Sequence, residues 1–172
     1  MDLTKHLRTI PDFPKPGILF YDISTLLAHP PAWKECVSQL AAVVEPFNPD
    51  VLVGIESRGF LTAAPLALEL ELGFVMVRKT GKLPGRVVSH SYSLEYGEDT
   101  LEVQESIIEP GQRVVVLDDL LATGGTMQAT VELCRKVGGD VCAGACIIEL
   151  PDLDGRSQVD VPVRSLLSFS GG

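Results

Sequence analysis

An α/β fold built on a parallel sheet is predicted by two features of the sequence. Runs of β-branched and other apolar residues, such as Val51-Leu52-Val53-Gly54-Ile55 and Val114-Val115-Val116-Leu117, read as strands covered on both faces. Between such runs lie segments with apolar residues at helical spacing, and strand–helix–strand alternation calls for crossover helices. The length of 172 residues, with 45% hydrophobic content and mean hydropathy +0.23, suits a single domain, residues 1–172, with a full core.

Asp2 to Thr9 reads as a short helix. Pro11, Pro14 and Pro16 then force a non-helical turn through Gly17, because prolines remove donors and restrict their neighbours. Ile18 to Phe20 reads as a short strand. Trp33, Val37, Leu40, Ala41 and Val44 mark one face of a helix stopped by Pro46 and Pro49. The strand Val51–Ile55 follows, then a helix over Gly59 to Leu70 that Pro65 should disturb. Phe74 to Val77 is a strand. Thr80 to Asp99, rich in Gly and Ser without helical period, reads as a long loop or ribbon. Arg113 to Leu117 is a buried strand. Met127, Val131 and Cys134 line a helix that Gly138-Gly139 terminate, and Val141 to Leu150 is another strand. Ser168 to Gly172 reads as a frayed tail.

A net charge of −9 argues against a nucleic-acid surface. The charge is unevenly spread. Arg78, Lys79, Lys82 and Arg86 cluster, while Glu95, Glu98, Asp99, Glu102, Glu105 and Glu109 follow in a stretch without Lys or Arg. Local positive charge can serve a polyanionic ligand while the acids keep the chain soluble. No apolar run approaches the roughly 20 residues needed to span a membrane, and Met1 to Lys5 shows no signal-peptide pattern. Cys36, Cys134, Cys142 and Cys146 lack metal-ligand spacing and read as free thiols of a reducing cytoplasm.

The chemistry concentrates where the run Val114–Leu117 ends. Asp118 and Asp119 follow it, then Leu120-Leu121-Ala122-Thr123-Gly124-Gly125-Thr126 opens a helix. Backbone N–H groups at a helix start attract phosphate, and Ala122, Thr123, Gly124, Gly125 and Thr126 supply such a cradle, with hydroxyl donors from the threonines. Asp118 and Asp119 can accept hydrogen bonds from sugar hydroxyls. One strand end therefore offers a phosphate cradle beside a diol binder, which suits a sugar phosphate. No Gly-Lys-Ser/Thr follows, excluding a Walker A loop, and no G-x-G-x-x-G occurs. Gly54-Ile55-Glu56-Ser57-Arg58-Gly59 joins a strand to a helix and could hold a diphosphate. It is not a G-x-S-x-G nucleophile elbow, because Ile55 occupies the first glycine position.

Four motifs in order give a resemblance to a known family. The hydrophobic run, two acids and Thr-Gly-Gly-Thr loop resemble the 5-phosphoribosyl-1-diphosphate (PRPP) motif of type I phosphoribosyltransferases. Arg78-Lys79-Thr80-Gly81-Lys82-Leu83-Pro84 with Ser91-Tyr92-Ser93-Leu94-Glu95-Tyr96-Gly97 resembles the flexible catalytic loop of the adenine phosphoribosyltransferases. Phe13-Pro14-Lys15-Pro16-Gly17-Ile18-Leu19-Phe20-Tyr21-Asp22 is similar to the adenine-side block of that family, and Glu56-Ser57-Arg58 to its diphosphate loop. The match spans about Pro11 to Leu150.

The resemblance implies a parallel sheet flanked by helices, an N-terminal base-binding hood over about residues 1–30 and a flexible loop over about residues 78–97. It implies transfer of the phosphoribosyl group of PRPP to N9 of adenine, giving AMP and diphosphate with Mg²⁺, in a cytoplasmic homodimer. Asp118 and Asp119 would hold the ribose and Ala122 to Thr126 the 5′-phosphate. Glu56, Ser57, Arg58, Arg78 and Lys79 would meet the diphosphate, with a cis peptide at Glu56-Ser57. Arg58, Lys79 and Lys82 would stabilise the leaving group, and Glu95 would protonate or hydrogen-bond N7. Phe20 would stack on the purine with Leu19 beside it, Tyr21 standing where some relatives carry Arg, and Leu150 would close the opposite face. Mg²⁺ would be held mainly by diphosphate, ribose and water, with no direct protein ligand assigned. The alternatives are transfer to another base, or a PRPP-binding regulator without turnover; the Phe13–Ile23 block argues against the first, and the absence of a basic surface or helix-turn-helix pattern against the second.

Overall fold

The computed structural model describes residues 1–94 and 96–171. A seven-stranded sheet runs in the order β5-β6-β4-β3-β7-β8-β9. Its strands are β3 (Val51–Ile55), β4 (Gly73–Lys79), β5 (Val87–Ser93), β6 (Glu98–Gln104), β7 (Arg113–Leu121), β8 (Asp140–Glu149) and β9 (Val163–Ser168). The pairings from β4 through β3, β7 and β8 to β9 are all parallel, as the run pattern predicts. The sheet is nevertheless mixed, because β5 and β6 form an antiparallel hairpin attached to the end of β4.

Alternation along β7 explains the two cores. Val114 and Val116 pack with Met127, Val131 and Cys134 of α4 (Gly125–Lys136) on one face. Val115 and Leu117 pack on the other with Leu40 of α2 (Pro30–Val44) and Leu66 of α3 (Gly59–Glu69), as period-two side chains of a doubly covered strand must. Helix α2 starts where Pro30 occupies its first turn and the His29 imidazole accepts the Ala32 N–H at 3.2 Å. Helix α3 runs through Pro65; Leu61, whose carbonyl loses its partner there, is exposed, so water can serve it.

A separate two-stranded antiparallel sheet, β1 (Arg8–Pro11) with β2 (Leu19–Asp22), occupies the segment expected to form the hood. It is followed by the short helix α1 (Ser24–Leu27), and α5 (Gly155–Gln158) lies before β9.

Several sequence expectations are corrected. Asp2–Thr9 is not one helix: a 3-10 turn spans Leu3–His6, capped by Asp2, and Arg8 already belongs to β1. Within Thr80–Asp99 the ribbon alternative holds for Val87–Ser93, and its partner Glu98–Gln104 is a strand the sequence reading did not mark, in which alternation buries Leu101 and Val103. The C-terminal segment is not frayed over its described part. Ser168 ends β9, the Phe169 N–H donates to the Glu149 carbonyl at 3.0 Å, and the Gly171 N–H donates to Asp152 at 2.6 Å. Gly172 lies outside the described residues.

Candidate active site

Strand β7 does not end at Leu117, as the apolar run implies, but continues to Leu121 along β8. Its other neighbour, β3, pairs with it only as far as Leu117. Beyond that point β3 turns away, and Asp118 and Asp119 border the gap it leaves. The site therefore lies at the carboxyl edge of the sheet, where open α/β folds bind ligands.

The loop after β3 reaches into the same gap. Glu56-Ser57 is a cis peptide. Helix α3 begins so close to β7 that a Cβ on Gly59 would lie 2.7 Å from the Leu117 carbonyl oxygen. That approach brings Arg58 to Asp119, with Nε 2.7 Å from Oδ2. Glu56, Ser57, Arg58, Lys79, Asp118, Asp119 and Thr126 line one polar cavity, with Leu120 as an apolar member.

Asp118 is the strained charge of this group. Burial, and then the charge of Asp119 beside it, push its carboxyl well above the usual carboxylate range. Its Oδ1 accepts the Asp119 N–H at 2.8 Å. Glu56 behaves oppositely. Burial pushes it up, but bonds from Lys82, the Lys79 N–H (3.0 Å) and Arg78 (3.1 Å) outweigh that and hold it below its ordinary value. Lys79 Nζ meets Asp99, and Tyr92 OH lies 3.4 Å from Asp99 and 3.3 Å from the Thr126 hydroxyl. Every cation of this cleft thus has an internal acid as partner.

The segment expected to cradle phosphate forms a turn that opens a helix. Gly124 has φ 85°, and among the described residues no side chain caps α4, the arrangement in which the first N–H groups of a helix can take an anion. A second cavity is lined by Asp118, Leu120, Ala122, Thr123, Gly124 and Thr126. The wall behind the loop comes from Gly155, which sequence reasoning missed. A Cβ there would lie 2.2 Å from the Ala122 carbonyl, and one on Gly124 would lie 2.3 Å from the Gly155 carbonyl. Nothing comparable surrounds Gly125, which leaves room above the helix. Gly155→Ala should therefore displace the loop and weaken binding of AMP about tenfold or more, the scale of an overpacking penalty. Titration of AMP into the variant, with circular dichroism as the folding control, checks this.

The four expected purine contacts do not converge. Leu19 and Leu150 line a cavity with Tyr21, Leu153 and Phe169. Phe20, on the other face of β2, lines a cleft with Phe13, Arg58, Leu61 and Asp119, and Tyr21 borders both spaces. The Arg58 guanidinium carbon stands 5.4 Å from the Phe20 ring centroid. Phe20 is thus the hood residue beside the acids, whereas Leu150 belongs to the neighbouring space. Phe169 and Leu120 carried no signal in sequence, since both sit in segments that read as tail or helix approach. Glu95 lies outside the described residues.

An anion cradle, a diol binder and a cationic loop at one sheet edge define a phosphoribosyltransferase, and residues 22–165 match the family described as the phosphoribosyl transferase domain. The likeness extends over nearly the whole chain. Adenine phosphoribosyltransferase of Rhodospirillum centenum is 64% identical over 98% of this chain and 99% of its own length. The crystal structure of adenine phosphoribosyltransferase from Thermoanaerobacter pseudethanolicus superposes with TM-score 0.95 at 45% identity, covering 98% of each chain. That of the Saccharomyces cerevisiae enzyme, complexed with an imino-altritol bisphosphate and adenine, gives 0.92 at 38% identity over 96% of each. The chain belongs to the adenine phosphoribosyltransferase family.

Proposed function

We propose that this protein transfers the 5-phosphoribosyl group of PRPP to N9 of adenine, releasing AMP and diphosphate. The observation that carries this reading is the convergence of Asp118 and Asp119, the uncapped start of α4 and the Glu56–Arg58 loop on one gap beside Phe20. Asp118 and Asp119 accept hydrogen bonds from the ribose hydroxyls, and the N–H groups of Ala122 to Thr126 hold the 5′-phosphate. C1 gains oxocarbenium character as diphosphate departs toward Ser57, Arg58 and Lys79, while adenine, stacked on Phe20, attacks from the opposite face.

The leaving diphosphate meets cations already paired with acids: Arg58 with Asp119, Arg78 and Lys82 with Glu56, Lys79 with Asp99. Binding exchanges one anion for another, so these side chains are held near their working positions without repelling each other. Glu56 acts as the placeholder rather than as a direct diphosphate ligand.

Among the described residues no group of three His, Cys, Asp or Glu side chains could hold a metal by itself. With Asp118 and Asp119 given to the ribose hydroxyls, a Mg²⁺ ion would take its oxygen ligands mainly from diphosphate, ribose and water beside that acidic pair, as a hard cation that keeps several waters does. Mg²⁺, when bound, neutralises charge on the diphosphate.

A homodimer in the cytoplasm follows from the family resemblance. Leu61 and Leu68 on α3 and Met76 on β4 are exposed, Leu68 at 83%, and supply apolar surface for a second copy. Burial pushes the Cys36 and Cys134 thiols up to about 12, so they stay protonated, as a reducing compartment permits. No helix among the described residues is long and apolar enough to cross a membrane.

The described residues between Lys79 and Val87, Lys82 among them, and those between Ser93 and Glu98 lie outside the hairpin strands. Closing these segments over the site would exclude water, the obvious wrong acceptor. Tryptic cleavage after Lys82 and Arg86 should slow on adding PRPP and Mg²⁺, and Glu95→Gln should lower kcat more than it weakens PRPP binding. Ligand-insensitive cleavage together with wild-type turnover in that variant would reduce the segment to a solvated loop. The function itself is tested by diphosphate release from PRPP with adenine, guanine, hypoxanthine, xanthine and orotate as acceptors. Release with adenine is expected; binding of PRPP without release would favour the regulator.

A further inference from the structure

Among the described residues the hood has no strand pairing with the main sheet, since β1 and β2 pair only with each other. Its placement over the ribose acids therefore depends on side-chain contacts. One of these is an aromatic stack: Tyr21 of β2 lies on Phe169 with ring centroids 4.6 Å apart and planes inclined by 20°. Phe169 is itself held. Its N–H donates to the Glu149 carbonyl at the end of β8, and the Glu149 carboxylate is fixed by Arg156 Nε at 2.9 Å and Ser165 Oγ at 2.7 Å. Glu149 is in register with Leu121, at the end of the strand that carries Asp118 and Asp119.

We propose that Phe169 is a positioning residue for the purine. It sets, through Tyr21, the height of β2 above the ribose site and hence the space between Phe20 and Asp119 in which the base lies. This rests on the functional reading above, which places adenine against Phe20. Tyr21 and Phe20 are neighbours on one short strand, so a tilt that frees Tyr21 also moves the Phe20 ring. The PRPP contacts are assigned to β4, β7, α4 and the Glu56–Arg58 loop, whereas the stack joins β2 to the segment that follows β9. Loss of Phe169 should therefore act on the base and spare PRPP.

Steady-state constants of Phe169→Ala, Phe169→Leu and Phe169→Tyr, measured well below their melting temperatures, test this. In the Ala and Leu variants the KM for adenine should rise roughly five- to tenfold, the upper range for an aromatic pair, with the KM for PRPP and kcat within about twofold of wild type. Phe169→Tyr, which retains the stack, should restore adenine KM. An unchanged adenine KM, a parallel change in both KM values, or a Tyr variant as impaired as Ala would overturn the proposal. Should Phe169→Ala not fold, Phe169→Leu decides by the same criteria. Wild-type protein that does not use adenine removes the functional reading and this inference together; normal wild-type turnover with unaffected variants removes this inference alone.

Discussion

Replacing Asp118 and Asp119 together by asparagine should lower kcat/KM for PRPP by roughly 10²- to 10⁴-fold with the fold intact. Each carboxylate is assigned hydrogen bonds to ribose hydroxyls, and a bond to a charged group is worth about 1.5–3 kcal/mol, where 1.4 kcal/mol is a factor of ten. Asp119→Asn also weakens the ion pair that holds Arg58 at 2.7 Å, so the leaving-group side suffers with the ribose side. The single variant Asp118→Asn should separate function from stability. Its carboxyl is raised by burial and by Asp119, so its contribution to stability is present below its unfolded-state value and lost as pH rises through the folded one. At neutral pH the charge therefore destabilises the unliganded protein. Asparagine can still accept the Asp119 N–H. The variant should melt higher than wild type at pH 7 to 8, with the difference shrinking toward about pH 4, while losing turnover. Thermal melts across that range, paired with kinetics, provide the check. Unchanged kcat and PRPP affinity in the double variant would remove both acids from the site.

Adenine should be preferred to hypoxanthine by roughly 10⁴-fold in kcat/KM, the scale on which a site rejects a substrate that leaves its buried polar groups mismatched. The amine at N6 of adenine donates and N1 accepts, whereas hypoxanthine reverses both. Strand β2 has a partner on one side only, so the backbone N–H and C=O groups of its free edge near Leu19 and Tyr21 can read that pattern. Backbone groups cannot rotate to exchange donor for acceptor, which gives the discrimination its rigidity. Comparable constants for hypoxanthine or guanine would transfer the chain to another base.

The parallel core and the acid pair with its glycine-rich turn at the start of a helix were legible because their signals are local. A doubly buried strand must be continuously apolar, and an acid pair followed by a glycine-rich turn has few other uses. The hairpin arm Glu98–Gln104 was hidden because its acids mask the period-two burial of Leu101 and Val103, and because Glu102 serves a turn: it is only 6% exposed and accepts the Gly81 N–H at 2.6 Å. Gly155 and Phe169 were invisible for another reason. Each acts through a neighbour far away in sequence, the loop at Ala122 and the ring of Tyr21, and nothing in its own segment announces the contact. The purine contacts show the same limit. Leu19, Phe20 and Tyr21 are consecutive, yet strand alternation sends Phe20 to the cleft beside Asp119 and Leu19 to the cavity with Leu150.

A crystal structure of the protein with AMP bound tests the central claim most directly. The 5′-phosphate is expected on the N–H groups between Ala122 and Thr126, the ribose hydroxyls on Asp118 and Asp119, and the purine against the Phe20 ring. AMP lodged in the cavity of Leu19, Leu150 and Phe169, or its phosphate held away from the start of α4, would contradict it.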